Sequence, residues 1–160
     1  MTSVLKGIYN KTAIVIFEKG DFTKEPSDAI IMPISSSRMW SGGADNMLRR
    51  TGGQSFYDQL AKEELTDSKT VVARGPVFRH VIFIVDDLKT SIGELVQKGL
   101  AAADAEEFAT VTLPDMRVTT RNVVRKTMAE LHAEMIAGAQ AYIENTPTTH
   151  LRCIQFVFRE

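Results

Sequence analysis

The stretch DAIIMPISSSRMWSGGADNMLRRTGG, Asp28 to Gly53, joins parts of contrasting character. An isoleucine-rich run ends in three serines; a tryptophan, a glycine pair, an aspartate and a helix-like segment follow. Apolar β-formers bounded by turn residues predict a strand over Asp28 to Ser35. From Asp45 to about Glu64, Met47, Leu48, Phe56, Leu60 and Ala61 fall at helical spacing. Gly52 and Gly53 interrupt it, so this helix ends and restarts, or bends. The stretch therefore reads as strand, loop, helix. Whether the loop merely connects or also holds a ligand depends on what surrounds it.

Working outward, TAIVIFEKG (Thr12 to Gly20) predicts a second strand, with VLKGIY before it as an edge partner. TVVARG (Thr70 to Gly75) and HVIFIVDD (His80 to Asp87) follow as strands. The latter is apolar on consecutive positions, as expected of a central strand covered on both faces. Ser91 opens a helix with Leu95, Val96, Leu100 and Ala103 on one face, and ATVTLP (Ala109 to Pro114) is another strand. Val124, Met128, Leu131, Met135, Ala139 and Tyr142 then recur at steps of three and four, predicting one amphipathic helix. LRCIQFVF (Leu151 to Phe158) closes the order as a strand. Alternating strands and helices predict an α/β fold, a three-layer α/β/α sandwich around a mixed, largely parallel sheet. With 160 residues and no linker, the expectation is one domain over residues 1–160.

A hydrophobic fraction of 44% and a charged fraction of 24% are ordinary for a globular protein. The formal net charge of −1 gives no electrostatic basis for a general nucleic-acid groove or an anionic membrane surface. The first ten residues lack the apolar core of a signal peptide, and no run approaches a membrane span, so a cytoplasmic location is expected. Cys153 is the only cysteine, which excludes an internal disulfide and reads as a buried structural thiol. His80, His132 and His150 have no metal-ligand spacing, so no metal or other cofactor is expected. Nucleophile-elbow and P-loop signatures are absent.

In a sheet of this kind, ligands gather beyond the carboxyl ends of the strands. Three segments stand there: EKGDFT, SSSRMWSGGAD and PDMRVTTRN. Gly42 and Gly43 lack a Cβ, so their N–H groups can approach an oxyanion, and the helix near Asp45 adds its positive dipole end. A plain glycine turn is the competing reading. Trp40 either stacks on a ring or fills space. Arg117 either bridges phosphate oxygens or is a solvated loop charge. Thr119 and Thr120 offer hydroxyls or cap the next helix. Asp21 can accept from an amino group or a ribose hydroxyl, with Phe22 giving an apolar face beside it.

KGDFTKEPSDAIIMPISSSRMWSGGADNMLRRTGG resembles, without a gap from Gly20 to Gly53, the start of a macro domain, the ADP-ribose-binding α/β/α family. TLPDMRVTT stands where that family has its second phosphate loop, and RCIQFVF resembles its last strand. The resemblance implies that Asp21 recognises the adenine amino group with Phe22 beside the base. It implies a first diphosphate loop at Gly42, Gly43 and Ala44, with Trp40 and Ser41 in place of loop glycines. Met116, Arg117, Val118, Thr119 and Thr120 would form the second loop, which here has no glycine. Asp45 matches the aspartate that helps activate water near the distal ribose. Met32-Pro33-Ile34-Ser35 stands in place of the family's Asn-Ala-Ala-Asn tetrad, so Ser35 takes the place of the asparagine that orients that ribose. The implied ligand is ADP-ribose or an ADP-ribosylated macromolecule. The implied reaction is hydrolysis at the distal ribose, releasing ADP-ribose or a terminal phosphate. The alternatives are a non-catalytic reader and a site retuned to another phosphorylated nucleotide.

Overall fold

A computed structural model of the chain describes residues 3–18, 22, 26–36, 54–75, 80–117 and 120–158. The strands are β1 (Ser3–Tyr9), β2 (Thr12–Glu18), β3 (Ala29–Ile34), β4 (Thr70–Ala73), β5 (His80–Val85), β6 (Thr110–Pro114) and β7 (Cys153–Phe158). The helices are α1 (Gln54–Leu60), α2 (Ile92–Ala105), α3 (Arg121–Val124) and α4 (Met128–Asn145). Among the described residues, the strands form one sheet in the order β1-β2-β7-β6-β3-β5-β4. The five inner strands run parallel; β1 and β4 close the edges antiparallel.

Period-two burial explains the layers. On β5, Ile82 and Ile84 face the layer containing α2 and α4, whereas Val81, Phe83 and Val85 face the layer containing α1. All five are at most 1% exposed, as the consecutive apolar run predicts for a strand covered on both sides. The mixed, largely parallel sandwich expected from the sequence is the architecture found.

Local signals fix the helix starts. Ser91 caps α2, its side chain accepting from the Glu94 N–H at 3.3 Å. Thr127 caps α4 through a capping box, accepting from Glu130 N–H while the Glu130 side chain returns to the Thr127 N–H. Thr127→Ala should therefore cost about 1 kcal/mol, readable as a lower denaturant midpoint at unchanged slope. The single helix expected through Val124 is in fact two. Arg125 takes the left-handed conformation at φ 56°, ending α3 before Thr127 starts α4. The apolar spacing runs across this break; the T-x-x-E box at Thr127–Glu130 was the signal for it.

Ile92, Leu95, Val96, Leu100 and Ala103 on α2 share one core cluster with Leu131, Met135, Ala139 and Ile143 on α4, and Gly99 lies against Ile31 of β3. The two helices approach so closely that an added Cβ on Gly138 would lie 2.5 Å from the Gly93 carbonyl oxygen.

Candidate functional site

From β3 the chain goes on through α1 to β4 and β5 on one side; from β6 it goes on through α3 and α4 to β7 on the other. β3 and β6 are neighbours, so the direction of winding reverses between them. Such a reversal leaves a crevice at the carboxyl ends of the strands, the usual ligand position in an open α/β sheet.

Here the β3–β6 hydrogen-bond ladder stops short of the strand ends. β3 and β6 pair only at Ala29↔Val111 and Ile30↔Thr112. Their outer ladders persist to the strand ends, through Ile34↔Val85 on one side and Pro114↔Val157 on the other. Ile31 to Ile34 and Leu113 to Pro114 thus lie beyond the last β3–β6 pair while still paired on their outer sides.

Three exit segments converge above this opening. Beyond β3, Ser35 is half-buried and the Ser36 N–H donates to Asp87 Oδ1 at 2.9 Å. Beyond β5, the Asp86 N–H donates to the Ile34 carbonyl at 2.7 Å. Beyond β6, Arg117 turns with φ 61°. Its Nε and Nη2 donate to the two Asp86 carboxylate oxygens at 2.9 and 2.8 Å, and Nη2 also donates to the Thr90 carbonyl. The two side chains are 6% and 7% exposed. Since β3 lies between β6 and β5, this fork crosses over the end of β3. Asp86 Oδ1 further accepts from the Leu88 N–H at 3.0 Å.

Asp67 extends the network, accepting from the Asp87 N–H at 2.8 Å and from the Thr90 hydroxyl. Burial pushes the Asp67 carboxyl up, but these two donors and the Lys89 and Arg117 charges outweigh it, so its pKa is lowered. A carboxyl lowered by folding supports the fold above its unfolded pKa, and that support is lost as pH falls through the folded value.

The predicted site residues distribute unevenly over this geometry. Arg117 is neither a solvated loop charge nor a guanidinium directed at an open cleft; it is buried and committed to Asp86 and Thr90. Phe22 is 0% exposed and packs with Ile30, Met32, Phe83 and Val157, so its ring belongs to the core. Met116, 2% exposed, belongs to the core on the opposite face. Thr120 occupies the position before α3 without a side-chain cap; its N–H and hydroxyl both donate to the Arg117 carbonyl, at 3.2 and 3.3 Å. Asp21, Trp40, Ser41, Gly42, Gly43, Ala44, Asp45, Val118 and Thr119 lie outside the described residues.

Two groups beside the crevice escape a reading from sequence. Asp86 belongs to the acidic pair ending HVIFIVDD, a carboxylate after an apolar strand, and that position was its only signal. Asp115, at the exit of β6, pairs with His132 Nε2, whose ring stacks on Phe158 at 3.7 Å and 4°. His132 is structural, as expected. Cys153 is a half-buried free thiol whose pKa burial pushes up. Among the described residues no group of three or more His, Cys, Asp or Glu could hold a metal, and no helix is long and apolar enough to cross a membrane.

With its reversal between β3 and β6 and helices on both faces, the chain has the macrodomain fold, by its likeness to solved structures. A variant of the Oceanobacillus iheyensis macrodomain solved with ADPR is 17% identical, with a TM-score of 0.69 over 99% of this chain and 91% of that one. The Trypanosoma brucei macrodomain in complex with ADP-ribose is 15% identical, with a TM-score of 0.74 over 92% of this chain and 64% of that one. The O. iheyensis macrodomain with ADP is 18% identical, with a TM-score of 0.67 over 98% and 88% of the two chains. No family model matches the sequence, and no curated protein matches it.

Proposed function

We propose that this chain binds ADP-ribose or an ADP-ribose derivative in the crevice between the carboxyl ends of β3 and β6. The observation that carries the reading is a likeness spanning nearly the whole chain to macrodomains solved with ADP-ribose and ADP. The glycine pair Gly42-Gly43 follows β3 in sequence and supplies the residue type that lets backbone N–H groups approach a diphosphate. Asp21 and the first loop recognise the nucleotide; Asp45 polarises water at the distal ribose. The second loop, with its Arg117 side chain spent on Asp86, contributes backbone and hydroxyl groups in place of a guanidinium.

Calorimetric titration tests binding. Saturable one-to-one heat with ADP-ribose is the expected result, and no heat at ligand concentrations up to about 1 mM would sink the reading. For turnover, Asp45→Ala should keep binding and slow release of ADP-ribose from a modified protein by about 100-fold or more. Tight binding with no turnover by the unaltered chain leaves the non-catalytic reader in place of the hydrolase.

A further inference from the structure

Hydrogen-bond parity explains why the β3–β6 ladder stops where it does. The Asp86 N–H donates to the Ile34 carbonyl, so even-numbered residues of β3 bond toward β5 and odd-numbered ones toward β6. On β6, the Thr110 carbonyl accepts from the Asp28 N–H on the β3 side, whereas the Ala109 carbonyl accepts from Arg152 and Cys153 on the β7 side. Even-numbered residues of β6 therefore bond toward β3. Beyond Ile30↔Thr112, the next rung needs the N–H of residue 114 to reach the Ile31 carbonyl. It also needs the N–H of residue 33 to reach the carbonyl of residue 114. Both residues are prolines. Each lacks the one donor that its inner ladder requires, and neither interrupts its outer ladder.

We infer that Pro33 and Pro114 are paired positioning residues that hold the ligand crevice open by removing both donors of the next β3–β6 rung. The inference deepens the ADP-ribose reading and rests on it for the ligand only; the unzipped ladder stands on the strand register. Proline at 33 thereby has a function of its own in the Met-Pro-Ile-Ser segment: it preforms the cleft that a ligand would otherwise have to pry apart. Preforming a site lowers the cost of occupying it.

The test uses Pro33→Val, Pro114→Val and the double variant, in the full chain. Each single change restores one donor of the rung, and the double restores both. In the double variant, the new amides at positions 33 and 114 should become protected from hydrogen exchange, as ladder amides are. ADP-ribose affinity should fall at least about tenfold with the thermal midpoint unchanged or raised, whereas a merely structural role for the prolines would lower both together. New amides exchanging at the rate of open chain would overturn the inference, as would protected amides with unchanged affinity. If the unaltered chain takes up no ADP-ribose, the binding reading fails, and amide protection alone still decides whether the prolines keep the strands apart. Should the double variant not fold, each single variant reports its own amide.

Discussion

Asp86→Ala should destabilise the fold by about 3–5 kcal/mol, because it leaves the Arg117 guanidinium buried without its anion. Both side chains are 7% exposed or less, so solvent screens the pair little, unlike a surface salt bridge. For a chain of this length, roughly 2–4 °C of thermal midpoint accompanies each kcal/mol, so the midpoint should drop by about 6–20 °C. Arg117→Ala should fall by less, since Asp86 keeps the Leu88 N–H and lies at a strand exit that water can reach on rearrangement. Replacing the pair by Asp86→Leu with Arg117→Met should recover most of the loss, as apolar replacements of buried ion pairs commonly do. A midpoint shift under about 2 °C for Asp86→Ala would show that the guanidinium finds other partners and that the fork is dispensable.

Gly138→Val is the second large effect. Any Cβ there would meet the Gly93 oxygen at 2.5 Å, its Cα at 2.8 Å and its carbonyl carbon at 3.0 Å. These are backbone atoms of a packed helix, so the clash is relieved only by moving α2 and α4 apart. About 3 kcal/mol is expected from this overpacking, measured by equilibrium denaturation. The facing glycine makes the control. A Cβ on Gly93 would stand 3.4 Å from the Glu134 oxygen, an ordinary contact, and alanine favours helix over glycine by up to about 1 kcal/mol. Gly93→Ala should therefore be neutral or stabilising although it sits at the same crossing. Equal losses at both positions would refute this account of the packing.

The strands were legible because their signal is local. Consecutive burial on β5 and the Ser91 cap are written in adjacent residues, and the structure places strands and caps there. The break before α4 was also local, but apolar spacing that continues in phase across Arg125 masks it. What could not be read is anything that depends on strand order. Arg117 and Asp86 are 31 positions apart, and only the order β6-β3-β5 brings one over the other. The same holds for Pro33 and Pro114: each is visible in the sequence, but what they lack jointly emerges only from register. The resemblance sets Phe22 beside the base and Met116 in the second loop, whereas both side chains turn inward, as large apolar side chains beside a sheet commonly do.

The short pairing between β3 and β6 has a mechanical consequence. Every other neighbouring pair of strands keeps register for at least four residue pairs, whereas this one keeps two. The sheet is thus two panels, β1-β2-β7-β6 and β3-β5-β4, meeting along a seam. Among the contacts that cross it away from the strands are the Arg117–Asp86 fork on one end and the Gly93–Gly138 crossing of α2, which leaves β5, with α4, which enters β7. The substitutions with the largest expected costs each cut one of these. Both should therefore loosen the angle between the panels as well as the fold, with the amides of Ile31 and Thr112, which bond across the seam, the first to lose protection.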